Sequence, residues 1–393
     1  MAVQPEIEDV GVEDESDVSA SALEKLGSAV VTGTDWTAET ILNQLRRGNI
    51  ELSPRFQRRD AWSPVRKSRF IESLVVGLPV PQIVLAEQAG ARGRFLVIDG
   101  KQRLLTLLQF AGLAVAPDGS LAPALKLQGL ELRDNLNGLS LSDMESSAEF
   151  ASDFAEFQNR TIRTAVVRSW PTEAFLYLVF LRLNSETVPL SPQELRQALH
   201  PGPFADFLDE FSLDCQPLQA ALHISQPDFR MRDVEVLLRF YAFDYFLPDY
   251  RGNLKTFMDA TLEDLNSRWP EEEARIRGRA DACVSGINTT IGIFGDAAFA
   301  TFSGGKFERR FNRAVFDVQM MYFKHEEVAK AALAQVDAVR SAFAELCTAD
   351  DAFLRSLQTT TKSVEATGIR LERWGRELGR VLHIDVPRPT WTV

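Results

Sequence analysis

Cysteine is scarce in this chain. The 393 residues include three widely spaced cysteines, Cys215, Cys283 and Cys347. An odd number of distant cysteines supports neither a disulfide framework nor a zinc site, so we expect buried free thiols. The four histidines are also scattered, and none lies in a His-x-x-x-His or Cys-x-x-Cys context. We therefore predict no metal site built from cysteine or histidine.

Long apolar runs are lacking as well. No run approaches the roughly 20 apolar residues that a membrane-spanning helix needs. The N-terminus is acidic and has no basic region followed by an apolar one, so no secretory signal is recognised. We expect a cytoplasmic protein with no membrane partner. A hydrophobic content of 45% and a charged content of 25% are typical of a globular protein, and the length favours two domains or one domain with a large extension.

Positive charge is in short supply and unevenly distributed. The net charge is −12, and residues 1–24 contain no Lys or Arg. We expect residues 1–30 to be a disordered acidic tail, either a solubilising leader or a competitor of nucleic acid for a basic region. That basic region is residues 46–69, with eight Lys and Arg against two acidic residues. It predicts a local patch that attracts phosphate groups such as those of DNA.

A short strand that leads into a helix is predicted around Asp99. Residues 95–98 are apolar, Asp99 is a good helix N-cap, and Gly100 permits a tight turn. Lys101 and Arg103 then fall in the first helical turn, where the helix dipole disfavours a cation by about 0.3–1 kcal/mol. A bound phosphate would compensate them, because helix N-termini bind anions.

The same charge pattern occurs at the start of an upstream predicted helix. Arg66 and Lys67 again lie at the positive end of the helix dipole, with Trp62 beside them. Together the two helix starts favour a binding site for an anion. The alternative is a solvated basic face whose acidic partners are Asp60 and Glu72.

Short strands and helices alternate over the first 170 residues, which favours a compact α/β domain. Helices are predicted over 37–47, 64–76 and 142–157, and strands over 83–86, 95–98 and 161–167. From about residue 172 onward helical periodicity dominates, and Ser191 to Glu194 form a capping box. The predicted organisation is a tail over 1–30, a first domain over 31–170 and a helical domain over 171–393.

An ordered series of motifs resembles one known family. Phe-Gln-Arg, Ala-Trp-Ser, Ile-Glu-Ser-Leu, Gly-Leu-Pro-Val-Pro and Ile-Asp-Gly-Lys-Gln-Arg-Leu follow one another between residues 56 and 105, and Leu-Arg-Leu-Asn and Pro-Leu-Ser-Pro-Gln-Glu-Leu-Arg come after residue 180. The series resembles the N-terminal domain of GmrSD-type restriction proteins. The resemblance implies an α/β (α+β) ParB/sulfiredoxin-like domain, here followed by a mainly α-helical domain. It also implies nucleotide binding, often with hydrolysis, in bacterial defence against foreign DNA.

The resemblance assigns roles within the family's Asp-Gly-Gln-Gln-Arg motif, which is Asp99-Gly100-Lys101-Gln102-Arg103 here. It implies that Asp99 orients a metal or a water, that Gln102 positions the water or a phosphate oxygen, and that Arg103 neutralises developing charge. Lys101 stands where the family usually has Gln, which strengthens phosphate attraction and leaves hydrolysis open. The base of the NTP and the use of Mg²⁺ at Asp99 are left open too.

Further candidates for nucleotide binding come from the basic segment, the motif and a later loop: Gln57, Arg58, Trp62, Arg66, Lys67, Gly100, Lys101 and Asn184. In the family the loop of Asn184 approaches the nucleotide site, and the alternative is local loop capping. We find no His-Asn-His nuclease motif, so DNA cleavage by this chain alone is not expected. The expected partners are a nucleotide, DNA and other defence proteins. The alternative function is a non-catalytic DNA-binding or scaffold protein with the same fold.

Overall fold

The computed structural model describes residues 30–50, 52, 62–115, 120–172, 175–176, 179, 183, 191–359 and 362–390. The predictions for the acidic tail, for Gln57 and Arg58, and for Asn184 lie outside these residues. The contacts divide the chain into two units, and the division falls between Ala198 and Leu199. The domain boundaries predicted from the sequence concern independent folding and stay predictions.

A mixed four-stranded sheet organises the first unit. Its strand order is β1 (Val30–Thr37), β4 (Thr161–Arg168), β2 (Ile83–Glu87) and β3 (Phe95–Asp99). Strand β4 pairs antiparallel with β1 and parallel with β2, and β2 pairs antiparallel with β3. Strands β2, β3 and β4 confirm the sequence predictions. Strand β1 was not predicted, because none of its side chains is fully buried and it lacks an apolar alternation.

Six helices accompany the sheet: α1 (Ala38–Arg46), α2 (Pro64–Val76), α3 (Lys101–Phe110), α4 (Leu141–Ser146), α5 (Ala151–Asn159) and α6 (Pro192–Leu199). Helix α2 begins and ends as predicted, since Ser63 Oγ accepts the Arg66 N–H and Gly77 takes the left-handed conformation that ends a helix. The helical structure predicted over 142–157 is confirmed, but it is divided between two helices. A short 3₁₀ turn at Ala148–Phe150 separates α4 from α5.

The sheet is strongly curled. Strands β1 and β3 are its two edges, and a flat sheet would hold them about 14 Å apart. Nevertheless the ring of Trp36 on β1 meets the ring of Phe95 on β3, with centroids 5.6 Å apart. The Phe95 N–H also donates to the Asn49 carbonyl at 2.7 Å. The turn after α1 is therefore fastened to the start of β3.

One apolar core holds the sheet and the helices of this unit together. It includes side chains that are almost completely buried on α1, α2, β2 and α3: Ile41, Ile71, Leu74, Ile83, Leu85, Leu104, Leu107 and Phe110. Because Leu104 and Leu107 follow the Asp99–Arg103 motif directly, burial of α3 fixes where the motif lies. Burying one such leucine contributes about 1.5–3 kcal/mol.

A buried carboxylate holds one loop onto α2. Glu72 Oε1 accepts three consecutive backbone N–H groups, from Glu131, Leu132 and Arg133, at 3.1, 2.7 and 2.8 Å. The alternative in which Glu72 neutralises Arg66 or Lys67 is therefore wrong. The local sequence could not reveal this, because the loop lies about 60 residues further along the chain.

Replacing Glu72 with alanine should destabilise the first unit, because three backbone N–H groups would lose the carboxylate that accepts from them. We expect a loss of about 2–4 kcal/mol in the free energy of unfolding, measured by urea denaturation. The matched control is Glu131→Ala, which removes an exposed carboxylate paired with Arg69 and should cost less than about 1 kcal/mol. Equal losses in the two variants would contradict this role of Glu72.

The second unit is helical, as predicted from the sequence. Its helices are α7 (Pro203–Asp214), α8 (Gln216–Ala221), α9 (Arg232–Phe246), α10 (Leu254–Phe294), α11 (Arg313–Phe323), α12 (Glu326–Leu333), α13 (Val336–Ala349), α14 (Asp351–Gln358) and α15 (Val364–Leu382), with a small hairpin of β5 (Phe302–Ser303) and β6 (Lys306–Phe307). Asp317 of α11 is buried between Arg239 and Arg370 and pairs with both. Among the described residues, no helix is both long enough and apolar enough to cross a membrane.

The three cysteines are free and buried, which confirms the sequence prediction. Burial raises the pKa of the Cys347 thiol to about 12 and raises the pKa of the Cys283 thiol well above its usual range. Since the thiolate is the reactive form, these side chains are packing residues rather than nucleophiles.

Candidate functional site at the start of helix α3

Strand β3 and helix α3 are joined by a single glycine. Strand β3 ends at Asp99, which pairs with Val84, and α3 begins at Lys101. The predicted N-cap at Asp99 is wrong, because Asp99 stays in the sheet and Gly100 is the N-cap, with φ +101°. A Cβ at Gly100 would lie 3.1 Å from Ile83 Cγ1. Both the backbone conformation and the limited space therefore require glycine here.

Asp99 and Arg103 form an ion pair at this junction. Asp99 Oδ2 accepts from Arg103 Nη2 at 2.8 Å, and Asp99 Oδ1 accepts the Gly100 N–H at 2.7 Å. Arg103 Nη2 also donates to the Gln82 carbonyl at 2.9 Å. The Arg103 side chain is 8% exposed and that of Asp99 is 21% exposed, so the carboxylate is the more accessible partner. Arg103 Nε is buried and has no hydrogen-bond acceptor among the described residues.

Lys101 forms a second ion pair, with Glu194. Both side chains are buried, and Glu194 Oε1 accepts from Lys101 Nζ. The other oxygen of Glu194 accepts the Ser191 N–H at 2.7 Å, while Ser191 Oγ accepts the Glu194 N–H at 3.1 Å. The predicted capping box at the start of α6 is confirmed. Sequence reasoning regarded it as a complete account of Glu194 and missed the pair with Lys101.

Carboxylates of the protein itself therefore compensate both cations at the start of α3. The sequence analysis expected a bound oxyanion to supply this negative charge. The difference has a simple cause, since one carboxylate precedes Arg103 by one helical turn and the other lies 93 residues after Lys101. A buried lysine needs an acidic partner, but that rule does not say which acidic residue provides it.

Trp62, Arg66 and Lys67, which were predicted from the basic segment, lie at the start of α2. The Arg66 guanidinium lies over the ring of Trp62 at 4.7 Å, and that ring packs edge-on against Phe70. Arg66 is exposed and Lys67 is buried on the same helical turn. No contact of the described residues joins Arg66 to Asp99 or Arg103.

Gln102, the third predicted catalytic residue, is buried in the first turn of α3. Its carbonyl accepts from Thr106 Oγ1 at 2.7 Å. The junction thus brings together all five motif residues, Asp99 to Arg103, on one strand end and one helical turn.

Asp99 is the predicted ligand of a Mg²⁺ ion at the junction. No group of three or more Asp, Glu, His or Cys side chains suited to a metal occurs in the described part of the chain. Mg²⁺ is usually held by one or two carboxylates together with waters and phosphate oxygens, so a preformed cluster is not required. Both oxygens of Asp99 are already hydrogen-bonded, and Asp99 would hold the ion only after its pair with Arg103 opens.

The family comparison covers this junction. Residues 38–201 match the family model of the GmrSD restriction endonuclease N-terminal domain. The family resemblance that the motifs indicated is therefore confirmed over this segment. The GmrSD-type segment includes β2, β3, α3 and the capping box of α6, and it supports a role related to restriction or defence. No curated protein and no solved structure matches the chain.

Replacing Glu194 with glutamine should show how much the buried Lys101–Glu194 pair contributes to the free energy of unfolding. Glutamine keeps the capping box, which accepts either residue at this position, but removes the Glu194 carboxylate from the buried Lys101 ammonium. We expect a loss of about 3–5 kcal/mol in the free energy of unfolding. The double variant Lys101→Gln with Glu194→Gln should recover part of this loss.

The measurement is a double-mutant cycle in urea. Glu156→Gln is the control, because that carboxylate is largely exposed and pairs with Arg160 on the surface. Strictly additive effects of the Lys101 and Glu194 substitutions would show that the pair contributes nothing of its own.

Proposed function

We propose that the GmrSD-type segment binds a nucleoside triphosphate at the β3–α3 junction, as part of a restriction- or defence-related protein. One observation supports this most directly. The motif that the family uses for nucleotides lies at a helix start that no side chain caps, directly after a glycine in the left-handed conformation. Backbone N–H groups in such a position favour phosphate oxygens.

Binding would proceed by exchange of charged partners. A phosphate oxygen that enters the junction competes with Asp99 for the guanidinium of Arg103. The Nε–H of Arg103 has no acceptor among the described residues and can donate to the phosphate as well. Asp99 is the more accessible partner, so it is the group that moves aside. Once released, its carboxylate is available to orient a water toward the phosphate, with Gln102 beside it on the helical turn. Phosphoryl transfer depends on such positioning and on charge stabilisation.

A second candidate function is nucleotide binding without turnover, in a regulatory or DNA-binding scaffold protein. One observation favours it, namely that Lys101 occupies the motif position where an amide is usual and is held by Glu194. An ammonium committed to a buried carboxylate cannot act as the amide that orients a water or a phosphate. Phosphate release separates the two functions.

The two junction residues should respond in opposite directions. Arg103→Lys loses the guanidinium fork and should weaken triphosphate affinity about tenfold or more. Asp99→Asn removes the negative competitor of the phosphate, so affinity should stay the same or rise several-fold while any phosphate release is abolished. Titration calorimetry with each of the four NTPs and a phosphate-release assay with and without DNA measure both effects.

Arg163→Ala serves as the control, because Arg163 is exposed on β4 beside Asp35. It should leave affinity unchanged. Circular dichroism of each variant establishes that the fold is retained. The proposal would be contradicted if Arg103→Lys left the triphosphate affinity unchanged. It would also be contradicted if Asp99→Asn still released phosphate.

A further inference from the structure

Two turns of the first unit bring four exposed arginines together. Helix α1 ends at Arg46, followed by Arg47, and the turn between β2 and β3 carries Arg92 and Arg94. The two turns are fastened to each other, since Arg94 Nη1 donates to the Gly48 carbonyl at 2.7 Å. We refer to Arg46, Arg47, Arg92 and Arg94 as the arginine patch.

No carboxylate of the described residues compensates the positive charge of the arginine patch. None of its four side chains pairs with a carboxylate of the described residues, and Arg46 reaches only the side-chain oxygen of Asn43. Glu87, at the base of the same turn, is committed to the Gly93 N–H and to Arg168. Other arginines of this unit do have acidic partners, namely Arg69, Arg103, Arg133, Arg160, Arg163 and Arg168. A cluster of like charge is unusual on a chain whose net charge is −12.

The surroundings of the patch fit a polyanion rather than a folded protein surface. Protein interfaces bury an apolar or aromatic centre. The turns over residues 46–49 and 90–94 consist of Arg, Gly, Asn and Ala and expose no large apolar side chain. Guanidinium groups bind phosphate in a planar, bidentate manner and contact backbone phosphates of nucleic acids most often.

We propose that the arginine patch binds the sugar-phosphate backbone of double-stranded DNA. This inference rests on the restriction-related role proposed above, which supplies DNA as the polyanion. The patch is separate from the nucleotide junction. Strand β3 has Phe95 beside the patch and Asp99 at the junction, and four strand steps of about 3.3 Å put their Cα atoms about 13 Å apart. The strand thus carries one phosphate-binding surface at each end.

The test compares two double variants with the same change of charge. Arg47→Ala with Arg92→Ala removes two patch arginines whose side chains make no hydrogen bond within the described residues, so the fold should be kept. Arg275→Ala with Arg380→Ala removes two exposed arginines of the second unit that pair with Glu272 and Glu377. Fluorescence anisotropy with a 20-base-pair duplex, repeated from 50 to 200 mM salt, gives the affinity and its salt dependence.

The patch variant should bind DNA about 10- to 100-fold more weakly at 100 mM salt, and the slope of log K against log salt should fall in magnitude by about 1.8, since each lost phosphate contact contributes about 0.9. The control should behave as the unmodified chain does. Identical affinity and slope in the patch variant and the control would overturn the proposal, as would the absence of DNA binding at 50 mM salt.

Two further measurements distinguish DNA binding by the patch from binding of an acidic peptide and from nucleotide binding at the junction. A synthetic peptide of residues 1–24 is titrated against the same variants. Tighter binding of this acidic peptide than of DNA, lost in the patch variant, would reassign the patch to an acidic polypeptide and overturn the proposal. Triphosphate affinity is measured on the patch variant as well. If the chain binds no nucleotide but its DNA binding still depends on the patch, the nucleotide proposal fails and the DNA proposal is supported.

Discussion

Charge compensation at the start of helix α3 is the constraint on which the first unit depends. Lys101 and Arg103 are buried in the first turn of that helix, where the peptide dipoles already present positive charge. Each can stay there only beside a carboxylate. Asp99 provides one from the end of β3, and Glu194 provides the other from the start of α6. The two ion pairs therefore tie the sheet, the motif helix and a helix 93 residues further along the chain into one arrangement.

In the proposed function, this arrangement determines how a nucleotide binds. A site with unpaired cations would bind phosphate by simple attraction, whereas this junction must first release a carboxylate from a guanidinium. The exchange lowers affinity by the free energy of the Asp99–Arg103 pair, yet it also produces a freed carboxylate next to the phosphate. The Lys101–Glu194 pair is more deeply buried and is not the part that opens. The Asp99–Arg103 pair would thus respond to the ligand, whereas the Lys101–Glu194 pair holds the fold.

Local features of the fold could be predicted from the sequence, and distant ones could not. The capping box at Ser191, the strand that ends at Asp99 and the helix that begins after Ser63 all follow from short-range rules of capping, turn and apolar periodicity. Strand β1 escaped prediction because its pairing with β4 joins residues more than 120 positions apart and leaves its side chains unburied. The motif residues lie together because they are consecutive in the sequence, but the acidic partner of Lys101 lies too far along the chain for spacing to reveal it. The arginine patch depends in the same way on a hydrogen bond from Arg94 to the Gly48 carbonyl.

The central claim is that Arg103 exchanges Asp99 for a phosphate oxygen at the start of α3. A crystal structure of the chain with a non-hydrolysable triphosphate analogue tests it most directly. We expect phosphate density against the backbone of Gly100 and Lys101, with the Asp99 carboxylate moved away from the Arg103 guanidinium, a phosphate oxygen in its place and the Lys101–Glu194 pair unchanged. Triphosphate density elsewhere on the molecule, with the Asp99–Arg103 pair intact, would contradict it.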